Sequence, residues 1–167
     1  MPAASPACCK LALPVSHMDF LFWKPGWRQA EPEEFRARIE NSVAGDGWIS
    51  EGNYSSRSFD LRLPRADLII WLETPRAVCL RRVILRTLLR RPRPDLPAGC
   101  EERLDAEFLT FLRYVWTFDR DSRPNLEAAR AAIAPEVPVV RLRGERQIDD
   151  FLTEIRSSKT SSVSART

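Results

Sequence analysis

Arginines are the residues of this chain best suited to chemistry, and they crowd one stretch. Arg81, Arg82, Arg86, Arg90 and Arg91 are followed closely by Arg93. A guanidinium is always charged and presents a rigid fork of donors, which suits phosphate oxygens. At about 100° per residue, Arg82, Arg86 and Arg90 stack on one helical face, with Leu80, Ile84 and Leu88 roughly opposite. A charged helical stripe is more often a solvated face than a site. Position keeps the other reading open here. Leu68–Leu72 is wholly apolar between Asp67 and Glu73 and reads as a strand buried on both faces of a parallel sheet. Thr74-Pro75 starts the helix, with Thr as N-cap and Pro at the first helical position. Ligands of open α/β sheets gather beyond the carboxyl ends of such strands. Arg81 and Arg91 point away and are assigned to the surface.

Two further strand ends carry polar groups. Leu13–Met18 is a short strand ending at Asp19. Trp48-Ile49-Ser50 is another, running into Glu51-Gly52-Asn53-Tyr54. Gly52 would let a backbone approach a ligand, and Asn53 and Tyr54 offer hydrogen bonds there. The same Gly-Asn-Tyr is equally readable as a plain turn.

The rest of the chain supplies the frame. At 167 residues and 44% hydrophobic, one globular domain is expected. The net charge of +3 is small because 23 acids offset 26 basic residues, which argues against a dedicated nucleic-acid binder. One histidine excludes a His-built metal site, and Cys8, Cys9, Cys79 and Cys100 have no zinc-like spacing. A reducing, cytoplasmic setting is the simplest expectation. No run is long and apolar enough to span a membrane. Residues 1–10 read as irregular. Pro25-Gly26 marks a turn in an aromatic-rich stretch. Pro32, Glu33 and Glu34 open a helix whose Phe35, Ile39 and Val43 share a face. Ser55–Arg62 reads as a polar loop. Pro92, Pro94 and Pro97 with Gly99 end the arginine helix in a rigid loop. Further helices are expected near Glu102–Phe118, with a buried stripe of Phe108, Phe111, Leu112, Val115 and Trp116, and at Leu126–Ile133. Val137–Leu142 reads as the last strand, Arg146–Arg156 as a closing helix, and 157–167 as a disordered Ser/Thr tail. Strands separated by helices imply an α/β fold with a parallel sheet and helical crossovers.

Four stretches, LPVSHMDFLFWKPGW, WISEGNYSS, LRLPRADLIIWLETPRAVCLRRV and RPRPDLPAGCEERLDAEF, together resemble adenylate-kinase-like P-loop proteins known as DNA topology modulation proteins. The resemblance runs from about Leu11 to about Leu152. It implies a nucleotide-kinase-like fold, with a parallel sheet in the order 2-3-1-4-5 and a lid around 90–104. It implies binding of ATP and magnesium, and phosphoryl transfer or NTP hydrolysis on a nucleotide or other phosphorylated small molecule. By the same resemblance, Arg82 and Arg86 match the paired arginines that begin the lid, and Arg103 and Arg113 fall where the returning helix adds phosphate contacts. Asp19, Glu51, Gly52, Asn53, Tyr54 and Arg57 fall on the acceptor side. Glu51 stands where relatives carry Asp, which puts metal positioning in doubt. Trp23, Trp27, Trp48 and Trp116 are expected to pack in the core or lid.

The phosphate loop GxxxxGK[ST] that defines such proteins is absent from the sequence. So is the central first strand expected to carry it. Truncation is the preferred explanation, and loss of nucleotide binding is the alternative. Either way the expectation is a chain that is not a competent kinase and holds no ATP or magnesium by itself. The sheet should then show a gap of roughly 9–10 Å between Trp48–Ser50 and Leu68–Leu72, a direct pairing of the two, or a fill by residues 1–10. The competing function is a non-catalytic regulator that binds nucleotide or nucleic acid, DNA included.

Overall fold

The computed structural model describes residues 13–164. Its elements follow in chain order: β1 Val15–His17, α1 Met18–Phe22, β2 Trp23–Lys24, β3 Arg28–Gln29, α2 Pro32–Ser42, β4 Ile49–Glu51, α3 Ser55–Arg62, β5 Ile69–Glu73, α4 Arg76–Leu88, α5 Ala106–Asp121, α6 Arg123–Ile133, β6 Val139–Arg143 and α7 Gly144–Ser164. A single 3-10 turn, Leu63–Arg65, extends α3. The fold is mixed α/β. β1 pairs with β4 and β5 with β6, both in parallel, while β2 and β3 form a tight antiparallel hairpin.

The parallel strands do not form one sheet. β1–β4 and β5–β6 are separate pairs, and β4 and β5 share no ladder among the described residues. Of the three arrangements expected for these two strands, direct pairing is therefore ruled out. The expected irregular segment 1–10, and its filling of the slot, lie outside the described residues.

Two clusters form the core. Met18, Phe22, Ala30, Phe35 and Ile39 pack together, with Tyr54 against them. Phe22 meets Phe35 edge-on, with ring centroids 5.1 Å apart. Phe59, Leu63, Leu126 and Ala134 form the second core, against Ile69 and Trp71 of β5. Burying each of these large side chains contributes about 1.5–3 kcal/mol. The helix α3 joins the cores. It was expected to be a loop because Ser55, Ser56 and Ser58 are polar. Phe59 and Arg62, however, recur at helical spacing and are buried, and the Ser58 hydroxyl donates to the Tyr54 carbonyl.

Other expectations need correction. Leu68–Leu72 is not buried on both faces: Ile69 and Trp71 turn inward, while Leu68, Ile70 and Leu72 are exposed, Leu72 at 59%. Alternation overrides the uniform hydrophobicity because only one face of this pair meets a core. In α4 the buried residues are Val83 and Thr87, while Leu88 is exposed. The stripe on α5 is likewise partial, with Phe108 buried but Phe111 and Trp116 exposed. That helix starts at Ala106, where the Asp105 carboxylate caps it by accepting from the Phe108 N–H at 2.9 Å. Thr74 makes no cap, as Pro75 takes that position without a side-chain bond. At the far end α7 runs through Ser164, beyond the expected Arg156 and into the stretch read as a disordered tail. The hydroxyls of Thr153 and Ser157 bond back to carbonyls one turn earlier.

Candidate anion site

Helix α4 ends in a Schellman-type turn, in which the Arg91 N–H bonds the Arg86 carbonyl and Arg90 takes a left-handed φ of 45°. The chain then loops through Pro92–Asp105 before α5. The β2–β3 hairpin holds this loop. Gly26 N–H donates to Gly99 O at 3.2 Å, Trp27 Nε1 donates to Glu101 O at 3.0 Å, and the Cys100 thiol lies 3.3 Å from Lys24 O. Trp27 thus binds the loop through its indole N–H while its side chain stays partly exposed.

Between the helix end and the loop lies a cavity of about 770 Å³, lined by Arg86, Arg90, Arg91, Arg93 and Arg103 among other residues. Of the expected phosphate contacts, Arg86 and Arg103 reach it. Arg82 does not: it is exposed and pairs with Glu145 at the start of α7. Arg113 is exposed on α5 and lines no part of the cavity.

The cavity wall is built around Glu102. Its Oε1 accepts from Arg86 Nη2 at 2.6 Å and from Arg93 Nη1 at 2.5 Å, and its Oε2 accepts from Arg86 Nε at 3.2 Å. The buried Thr87 hydroxyl lies 2.9 Å from Oε2 and 3.0 Å from the Val83 carbonyl. Arg93 also grips Asp95 with Nε and Nη2. Burial works against the Asp95 carboxylate, yet the adjoining Arg93 guanidinium outweighs it and holds the pKa below the usual range. These contacts explain the turn of α4 that puts Thr87 inward: the Arg86–Thr87 side is pulled beneath the loop by Glu102.

The residues expected on the acceptor side lie at and around the end of β4. The Tyr54 hydroxyl donates to Asp19 Oδ1 at 2.7 Å. Burial first, and then this bond, push the Tyr54 phenol well above its ordinary value. Tyr54 itself has φ 40°. Gly52 sits at φ +125°, and a Cβ there would stand 2.8 Å from Met18 Cβ, so only glycine fits without strain. Asn53 and Gly52 offer their carbonyls inward, to Arg62 Nη2. Arg62 is 4% exposed, donates also to Ser50 Oγ, and is pushed down to about 10 by burial. Arg57 is exposed, with its guanidinium 5.2 Å from the centre of the Phe22 ring. Glu51 does not stand free, because His17 Nδ1 lies 2.9 Å from its Oε2.

No protein-family model, curated protein or solved structure matches this chain.

Geometry therefore carries the functional argument. Arg93 brings the two halves of the site together, lying 3.7 Å from the Asp19 carboxylate while touching Glu102. The sequence places it only just beyond the helix. The signal available was its place in a Pro-rich loop two residues before Asp95. Glu102 and Thr87 were missed because an acid and a hydroxyl among arginines read as surface. Of the carboxylates expected on the acceptor side, Glu51 Oε2 lies beside His17 Nδ1 and Asp19 Oδ1 accepts from the Tyr54 hydroxyl. Among the described residues no group of three or more His, Cys, Asp or Glu side chains is placed to hold a metal ion.

Proposed function

We propose that the chain binds a nucleotide or another phosphorylated small molecule in the arginine-lined cavity, as the lid side of a nucleotide-kinase-like or NTPase-like protein. The observation that carries this reading is the set of five arginines around one cavity of about 770 Å³. Arg90, Arg91 and Arg103 have no ion-pair partner among the described residues. Three uncompensated cations around one opening favour a multiply charged anion, and guanidinium forks favour phosphate oxygens. Asp19 and Tyr54, tied to the cavity through Arg93, supply the hydrogen-bonding side on which an acceptor would rest. The order of strand pairs, β1 with β4 and β5 with β6, fits strands 2-3 and 4-5 of the 2-3-1-4-5 sheet that the resemblance implies.

The chain offers the cavity no Walker A lysine or glycine-rich loop. Binding without phosphoryl transfer is the activity proposed for it. Calorimetric titration with ATP, AMP and inorganic pyrophosphate tests this, together with an assay of phosphate release from ATP. Saturable binding of at least one phosphate compound, with no release, is expected. No binding of any of them removes the reading.

The exposed Arg90 and Arg91 at the mouth favour one second reading, a non-catalytic binder of nucleic acid. It requires oligonucleotide binding stronger than mononucleotide binding and a steep fall with salt.

A further inference from the structure

Glu102 is bound as a phosphate would be. Its two oxygens gather the Arg86 fork, one Arg93 nitrogen and the Thr87 hydroxyl, all within 3.2 Å. The side chain is 15% exposed and Arg93 17%, so the cluster is largely screened from water. It lies on the wall of the arginine cavity, whose remaining arginines Arg90, Arg91 and Arg103 are unpaired among the described residues. The Arg86 guanidinium is thus taken up by an internal monoanion, and Arg93 is shared between Glu102 and Asp95, while the three other arginines of the cavity have no such partner among the described residues.

We infer that Glu102 is an internal stand-in for a phosphoryl group: its carboxylate occupies the oxyanion position of the cavity and is exchanged for the ligand's phosphate on binding. The inference rests on the phosphate-binding reading above. Charge sets the direction of the exchange. A phosphoryl group brings close to two negative charges and three acceptor oxygens, against one charge and two oxygens for the carboxylate. It can therefore satisfy Arg86, Arg93 and Thr87 and still reach an unpaired arginine. The tether explains how the exchange is possible. Glu102 sits in the loop between α4 and α5, outside any helix or strand, so its side chain can leave without unwinding an element. While Glu102 is in place, Arg86 and Arg93 are held in binding geometry but capped. A ligand with a single negative charge gains too little to displace it, which makes the site selective for phosphates over carboxylates.

The test is calorimetric titration of the full chain with inorganic pyrophosphate at constant ionic strength, for wild type, Glu102→Gln and Glu102→Asp. Glu102→Gln removes the competing charge and keeps the shape. It is expected to bind pyrophosphate about tenfold more tightly, the equivalent of one charge-assisted hydrogen bond no longer broken. Glu102→Asp, one methylene shorter, is expected to fall between the two. Acetate is the selectivity control, and it should bind Glu102→Gln but not wild type. In wild type, pyrophosphate should also shift the carboxyl carbon resonance missing from Glu102→Gln. Equal or weaker binding by both variants overturns the exchange, and shows Glu102 to be a positioning residue for Arg86 and Arg93, while leaving the phosphate site standing. Absence of binding in wild type and both variants overturns the exchange and the phosphate site together. If Glu102→Gln fails to unfold cooperatively, the Glu102→Asp affinity and the wild-type resonance decide.

Discussion

The Arg93 guanidinium stands 3.7 Å from the Asp19 carboxylate. The same group binds Asp95 and Glu102, so one side chain fixes the loop and lines the cavity. Arg93→Ala is expected to weaken pyrophosphate binding about 10- to 100-fold, the cost of losing a charge-assisted contact. Arg93→Lys keeps the charge without the fork and should recover only part of that loss. Calorimetric affinities for the three proteins check this. Unchanged affinity in Arg93→Ala would mean that the ligand never reaches this end of the cavity.

Asp19 has a second effect that can be read optically. Burial is the larger cause of the raised Tyr54 pKa, and the hydrogen bond to Asp19 adds to it. Asp19→Asn removes the carboxylate's charge and leaves the burial. Tyr54 should then titrate at lower pH than in wild type, though still above an exposed tyrosine. Ultraviolet absorbance during alkaline titration, with Tyr54→Phe to identify the signal, measures the shift.

Acid stability should depend on Glu73, whose side chain is 8% exposed between Arg123, Arg141 and Arg143. Hydrogen bonds from Arg143 and then Arg141 hold its pKa at about 2, below the 4.5 of the free group. A carboxylate depressed in this way stabilises the fold fully above about pH 4.5, and that stability is lost as the pH falls toward about 2. Glu73→Gln should be less stable than wild type at neutral pH. It should lack the Glu73 share of the acid-dependent loss, giving a shallower fall between those two values. Urea midpoints measured across the range test it, and parallel curves for the two proteins would refute it.

Gly52→Ala is expected to cost about 3 kcal/mol. The new methyl meets the buried Met18 side chain at 2.8 Å, on a backbone with φ +125°, and both the conformation and the overpacking are unfavourable. The urea midpoint reports the loss. A change near zero would show that the Gly52–Tyr54 turn relaxes freely.

Elements announced by local signals were legible in the sequence. Pro32 with two acids started α2, and the apolar runs at Ile49, Ile69 and Val139 marked the strands. What failed depended on partners distant in the chain. Ser55–Arg62 is helical because Phe59 packs against Leu126 and Ala134, which no local pattern records. Leu72 is exposed because the strand pair has one covered face only. At the site, type and spacing singled out the arginines but not their use. Arg82 goes to Glu145 and Arg86 to Glu102, partners 63 and 16 positions away. Long flexible side chains choose partners in three dimensions, and helical phase alone cannot rank them.

The division of the parallel strands into two pairs has a consequence for the backbone itself. Each of β1, β4, β5 and β6 is hydrogen-bonded along one side only among the described residues, so alternate amides on every strand face no neighbouring strand. Amides on those outer edges should exchange with deuterium faster than the inward ones, even at the centre of β5. Beside the bare face of Leu68, Ile70 and Leu72, the same row of donors and acceptors can receive an incoming extended segment at no cost in existing ladder bonds.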